Sequence, residues 1–325
     1  NLTLASIQVR ILNNFDQSQE VLASALGQTH FDPHSGILTI TGLPTTTAFQ
    51  SALRNVTYVN NADEPNTAPR TIEVVMDDGL APSLPLYAVL NITLVNDSPY
   101  FTSSVPPFKP SMLEDESLSA NNGWAVSEMS YLIEDSDEGA VRGVAIVGYD
   151  TKVGVLQYTL DGTNWTSIPD VVSLNYSLLL SDEPSHRVRF IPVTYYNGPV
   201  NISIVAWDRT DGLPSGNYSD VHHSSLESPY SAQTLTITLT VTPVNNAPVL
   251  QGIPLWLTPI KEDNMTSSGD PVTNLLLYVT DPDLTTVFGV AIVAADQTNG
   301  TWQYSTDGGQ VWYPFGAVKP YQALV

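Results

Sequence analysis

The chain contains no cysteine. Disulfides therefore contribute nothing, and stability has to come from packed cores and from whatever the fold binds. Basic residues are scarce too. Eleven Lys and Arg stand against 33 Asp and Glu, a formal charge of −22, which argues against nucleic acid or an anionic membrane surface as a partner and makes a cation the natural counterpart. Long apolar runs are missing: GVAIVAA (289–295) and NLLLYV (274–279) fall well short of the roughly 18 residues that a membrane span needs. Histidine is limited to His30, His34, His186, His222 and His223, which leaves little for transition-metal chemistry. No G-x-S-x-G, P-loop or H-E-x-x-H motif occurs, so the reading is that the protein is not an enzyme. The chain opens on Asn1 without a methionine or a charged-then-apolar leader, as expected of a processed form or a fragment.

What is present suits a folded chain. Only 14% of the residues are charged and 42% are apolar, unlike a disordered acidic tail, and 325 residues suggest two or three domains at roughly 100 to 200 residues each. Internal repetition organises them. VNDSPYF (95–101) returns as VNNAPVL (244–250), IEDSDEGAVRGVAIV (133–147) as VTDPDLTTVFGVAIV (279–293), LQYTLDGTNW (156–165) as WQYSTDGGQVW (302–312), and LEDES (113–117) as KEDNM (261–265). Asp135 and Asp281, Gly143 and Gly289, and Asp161 and Asp307 are each 146 residues apart.

Within the repeats the texture is β. ASIQVRI, GILTITGL, RTIEVVM, NISIVAW and TLTITLTV alternate apolar and polar residues, the period of half-buried strands. Clusters such as DPHSG, NNADEPN, DDGLAPS and TDGLPSG separate them as turns. TTAFQSALRNV (46–56) alone has helical spacing and predicts a short helix. Short strands without βαβ alternation predict an all-β chain of antiparallel sandwiches, divided at the repeated punctuation into 1–98, 99–247 and 248–325.

Those motifs, DSPYF, LEDES, IEDSDEG, AWDRTDG and VNNAP, resemble the tandem cadherin-like repeats of large extracellular surface proteins and adhesins. ASIQVRILNNF, GILTITG and RTIEVVMDDG resemble a second variety of the same broad family. The resemblance implies Ig/cadherin-like β-sandwiches with incomplete terminal units: 1–98 without its first strand, 99–247 complete, and 248–325 the first half only. It also implies Ca²⁺ between consecutive domains. Calcium takes six to eight oxygen ligands, more than any one motif offers, so linker, Glu-Asp and Asp-x-Asp would act together. Carried over, the first junction uses Asn96, Asp97, Glu114, Asp135 and Asp137, with Asp78 beneath. The second uses Asn245, Asn246, Glu262, Asp281 and Asp283, with Asp208 or Asp211 beneath, and Asp115 and Asp263 are ligands or helpers. Asn246 in place of Asp97 removes a charge and should weaken the second junction. Taken singly, each of these acids also has a plain reading as a turn residue bonded to its own backbone.

Asn-x-Ser/Thr triplets at Asn1, Asn55, Asn91, Asn164, Asn175, Asn201, Asn217, Asn264 and Asn299 mark candidate N-glycosylation sites and a secreted or cell-surface protein; Asn96 also fits the triplet but carries the punctuation. The expected function is structural or adhesive, with like subunits or neighbouring domains of one long chain as partners and head-to-tail strand complementation building a filament. The alternative is a carbohydrate- or ligand-binding module using exposed aromatics such as Trp165, Trp312, Tyr195 and Tyr196. Core packing is the plainer reading of those tryptophans.

Overall fold

The computed structural model describes residues 4–13, 16–106, 108–223, 225–252, 255–264, 266–283 and 287–325. The chain forms two compact units. One comprises Asn1–Met112, Ser117–Ile191 and Pro199–Thr240, and the other Leu113–Glu116, Pro192–Gly198 and Val241–Val325.

The first unit opens with strands β1 (Ser6–Ile11), β2 (Glu20–Ala23), β3 (Gln28–Asp32), β4 (Ile37–Thr41), helix α1 (Thr46–Arg54), and strands β5 (Thr57–Asn60), β6 (Arg70–Asp77) and β7 (Leu86–Leu90). A five-stranded sheet runs in the order β3-β4-β1-β6-β7, and β2 pairs with β5. Every pairing is antiparallel. Alternation in β1 sends Ile7, Val9 and Ile11 to one face, where they meet Leu38 and Ile40 of β4. The predicted helix forms at its expected place. Thr45 starts it by accepting the Ala48 N–H at 3.1 Å, and Phe49 and Ala52 close the core together with Leu22. Burying such side chains is worth about 1.5–3 kcal/mol each for the larger ones. Strand β7 lies at the sheet edge, with Leu86, Tyr87 and Val89 exposed.

Further elements follow: β8 (Tyr100–Phe101), β9 (Ser111–Leu113), β10 (Trp124–Ala125), α2 (Val126–Ser130), β11 (Ile133–Glu134), β12 (Gly143–Tyr149), β13 (Gly154–Thr159), β14 (Thr166–Ser167), β15 (Ser177–Ser181), β16 (Arg187–Pro192), β17 (Gly198–Trp207), β18 (Tyr218–Ser219) and β19 (Tyr230–Thr242). They build a six-stranded sheet, β18-β15-β12-β17-β19-β9, a four-stranded sheet, β10-β16-β13-β14, and the pair β8–β11. Strand β12 is apolar on both faces, and the register explains why. Ala145 lies opposite Leu179 and Val205 in a core that includes Trp207, Val221 and Tyr230, while Val144 and Ile146 point the other way and are equally buried.

Beyond Thr242, the described residues of the second unit form the short pairs β20 (Val249–Leu250) with β21 (Val279–Thr280) and β22 (Gln303–Tyr304) with β23 (Tyr313–Pro314), and one short 3-10 turn at Val272–Asn274. Among its described residues beyond Val241 none is buried. The repeated GVAIV shows what differs: at 143–147 it is flanked by β15 and β17, whereas at 289–293 its β-pairing among the described residues is the bridge Ile292–Leu324. The same apolar sequence is a core strand once and a half-exposed segment once. Among the described residues no helix is long and apolar enough to cross a membrane.

Candidate metal centres

The repeated punctuation folds the same way twice. In the first copy the Asp97 N–H donates to Asp137 Oδ2 at 2.9 Å, the Asp137 N–H donates to Asp135 Oδ1 at 2.9 Å, and Asn96 Nδ2 donates to the Asp97 carbonyl at 2.9 Å. In the second the Asn246 N–H donates to Asp283 Oδ2 at 2.8 Å, the Asp283 N–H to Asp281 Oδ1 at 2.9 Å, and Asn245 Nδ2 to the Asn246 carbonyl at 3.0 Å. Each Asp-x-Asp thus bonds within itself and clasps the backbone of the linker, which fixes the carboxylates.

Around this common frame the clusters differ. At the first, in the larger unit, Asn96 Nδ2 also donates to Asp208 Oδ2 at 3.0 Å. Asp208 is 2% exposed and its other oxygen accepts the Thr210 N–H and hydroxyl. Burial, then Asp137 and Asp63, hold the Asp97 carboxyl above the usual carboxylate range. Burial also raises Asp135, reinforced by Asp137, Asp208 and Asp97 and opposed by the Asp137 N–H. Among the described residues none of Asp97, Asp135, Asp137 and Asp208 forms an ion pair with a basic side chain. Two oxygens here, Asn96 Oδ1 and Asp135 Oδ2, are buried with no hydrogen-bond partner. A cleft of about 220 Å³ lined by Pro99, Ile133, Glu134, Asp135, Asp137 and Arg142 opens beside them.

At the second cluster, in the smaller unit, Glu114 is central. It is 6% exposed; its Oε1 accepts the Val244 N–H at 2.9 Å and Asn246 Nδ2 at 3.1 Å, and its Oε2 accepts Asn197 Nδ2 at 2.8 Å. The Glu114 N–H donates to the Thr242 carbonyl.

This regroups several expected residues. Glu114, expected beside Asn96, lies with Asn246. Asp208, expected at the second cluster, lies at the first. Asp211 joins neither: its Oδ1 accepts Trp207 Nε1 and the Leu213 N–H, and its Oδ2 accepts the Tyr230 hydroxyl. Asp78 likewise stays in its own turn, where the Leu80 and Ala81 N–H groups bond to Oδ1 and lower its carboxyl. Glu262, Asp263 and Asp115 are exposed. Sequence reading missed three contributors. Asp63 acts on Asp97, Glu64 accepts the Glu138 N–H at 2.7 Å, and Asn197 holds Glu114. The acidic pair inside NNADEPN was the available signal for the first two. Asn197 carried none, being one asparagine in a turn beside Gly198.

Among the described residues no three His, Asp or Glu side chains gather closely enough to hold an ion on their own. The donor set of the first cluster nonetheless fits a hard cation: it is all oxygen, it is anionic, and it leaves one amide and one carboxylate oxygen buried and unused. Asn55, Asn91, Asn164, Asn175, Asn201, Asn217, Asn264 and Asn299 are all exposed, as an attached glycan requires, and Asn1 lies outside the described residues.

No protein-family model and no curated protein matches the chain. Solved structures to which it is similar are cadherin domains: the extracellular cadherin domains 1–5 of protocadherin gamma B2 (17% identical, TM-score 0.38, covering 94% of this chain and 47% of that one), the protocadherin gamma B4 extracellular domain (16%, TM-score 0.33, 82% and 32%) and zebrafish RET cadherin-like domains 1 to 4 (10%, TM-score 0.22, 73% and 41%). The chain spans about half or less of the length of these structures.

Proposed function

We propose that this is a segment of an extracellular structural or adhesive protein built of tandem β-sandwiches, in which Ca²⁺ at the first cluster stiffens the chain. The observation that carries this is the pair of buried oxygens, Asn96 Oδ1 and Asp135 Oδ2, left without a donor among carboxylates that, among the described residues, form no ion pair with a basic side chain. Burying an anionic group without a partner is costly, and a divalent cation removes the cost. Asn96, Asp97, Asp135, Asp137 and Asp208 would hold the ion, with Asp63 and Glu64 lending further charge. Bound there, the cation supplies neutralisation and cross-linking. The protein's own contribution is to fix the linker backbone on Asp137 before any ion arrives.

Head-to-tail association with like subunits, or with neighbouring domains of one long chain, is the companion proposal. The exposed edge strand β7 and the half-exposed GVAIV at 289–293 support it, since unpaired edges and uncovered apolar faces accept strands from another chain. N-linked glycans would occupy the exposed asparagines.

The test is thermal unfolding of the whole chain in calcium and in excess EGTA. Chelation is expected to lower the melting temperature, because a ligand bound only by the folded state stabilises it by mass action. Superimposable curves would sink the calcium reading.

A further inference from the structure

The first cluster leaves two buried oxygens for a cation to satisfy, whereas at the second the buried acid, Glu114, has N–H donors on both oxygens, and Asn245 and Asp281, the counterparts of Asn96 and Asp135, are exposed and half-buried. One position of the linker supplies a donor that the first lacks. Where the first linker has Asp97, which faces Asp137 as like charge to like, the second has Asn246, whose Nδ2 donates to Glu114 Oε1 at 3.1 Å and lies 3.4 Å from Asp283 Oδ1. Asn197 Nδ2 takes the remaining oxygen of Glu114. Two side-chain amides and the Val244 N–H thus occupy the oxygens of Glu114, and the buried polar atoms without partners that the described residues contain are both at the first cluster.

We propose that the second cluster is a cation-independent latch: Asn246 and Asn197 bind Glu114 and Asp283 in place of calcium, so that of the two punctuated segments only the first responds to the metal. This rests on the calcium reading of the first cluster and assigns Asn246 as the residue that sets the difference. An N–H donor turned to a carboxylate neutralises none of its charge but satisfies its lone pairs, which is what a buried acid requires. Returning the position to a carboxylate would withdraw the donor, set a third negative group between Glu114 and Asp283, and recreate the condition of the first cluster.

The experiment is amide hydrogen exchange on the whole chain with calcium and with EGTA, reading segments 95–98 and 133–138 against segments 243–246 and 281–283. The expected result is a calcium-dependent rise in protection at the first pair of segments and none at the second. Asn246→Asp should confer calcium dependence on the second, and Asp97→Asn should reduce apparent calcium affinity at the first by roughly 10-fold or more, as loss of a ligand or its support does. Calcium protection of both pairs in the unmodified chain would overturn the latch while leaving the calcium reading intact. Protection of neither would overturn the calcium reading, and the asymmetry with it. An Asn246→Asp chain that stays folded in calcium yet gains no dependence would overturn the assignment of Asn246.

Discussion

Replacing Arg70 by leucine is expected to cost the first sandwich far more than removing its partner as well. Arg70 opens β6 and is 0% exposed. Its Nε bonds Glu20, itself 0% exposed, its Nη1 bonds the Ala68 carbonyl, and its Nη2 donates to Asp16 Oδ2 at 2.6 Å. The Tyr58 hydroxyl donates to Glu20 Oε1 at 2.7 Å, and burial, with Glu20 beside it, pushes the Tyr58 phenol up to about 12. Taking Arg70 away would leave Glu20 as a buried carboxylate with the Tyr58 hydroxyl and a long 3.4 Å bond from the Asp16 N–H. Breaking a buried pair on one side costs about 3–5 kcal/mol, a large part of the roughly 5–15 kcal/mol that holds a domain together. Arg70→Leu combined with Glu20→Leu removes both charges, and such replacements are often near neutral, within about 1 kcal/mol. The six tryptophans all lie after residue 98, so their fluorescence is silent on this sandwich. Amide exchange at β1 and β6, which pair from Ser6–Asp77 to Ile11–Ile72, reads its opening free energy directly. A single substitution costing less than about 1 kcal/mol, or a double as damaging as the single, would refute the reasoning that the pair persists because each charge is unaffordable alone. The network also bears on the proposed calcium site. Asp16 accepts Asn60 Nδ2 and the Asn66 N–H, bracketing the loop that carries Asp63 and Glu64, so Arg70→Leu should also weaken calcium binding.

Two further outcomes follow from the geometry. The carboxyls of Asp97 and Asp135 are raised in the folded chain, so folding favours their protonated forms: this contribution is fully present below the ordinary value of 3.8 and is lost as pH rises through it to the raised values. Melting in EGTA should therefore benefit from acidification between about pH 7 and 4 more in the native chain than in Asp97→Asn, whereas calcium should reverse the trend because protons compete with it; identical pH profiles for the two chains in EGTA would count against the shifts. At Gly143 an added Cβ would lie 2.6 Å from Trp207 Cε3 and 2.9 Å from the Leu180 carbonyl. Gly143→Ala should cost about 1–3 kcal/mol as overpacking, visible as faster amide exchange across β12 and β17, and unchanged exchange would show that β12 and β17 can part without penalty.

Much of the fold was legible because strands and turns declare themselves locally. Alternation placed β1, β4, β6, β17 and β19, and helical spacing placed α1, since each depends on residues within one element. The repeated motifs marked linker and Asp-x-Asp as belonging together, though not that the second aspartate would bind the linker backbone. The membership of each cluster was not, because it is set by which end of a strand a residue occupies. Asn197 and Asp208 bracket β17, Gly198–Trp207, and serve different clusters. Antiparallel pairing sets Trp207 opposite Gly143, which brings the end of β17 to the start of β12, just beyond Asp135 and Asp137. Glu114 follows β9, and its hydrogen bond to Val244 spans 130 residues. The carry-over from the resembled repeats joined Glu114 to Asn96 and Asp208 to Asn246, whereas the structure bonds Glu114 to Asn246 and Asp208 to Asn96. Asp78 and Asp211 both follow strands and both sit in Asp-Gly turns, but their oxygens are consumed by N–H groups of those turns or by Trp207 and Tyr230, so sharing a motif with true cluster members gave them no place in a cluster. An acid near a strand end becomes available to a cation only when its local turn leaves an oxygen unused, and at Asp135 and Asn96 the turns do.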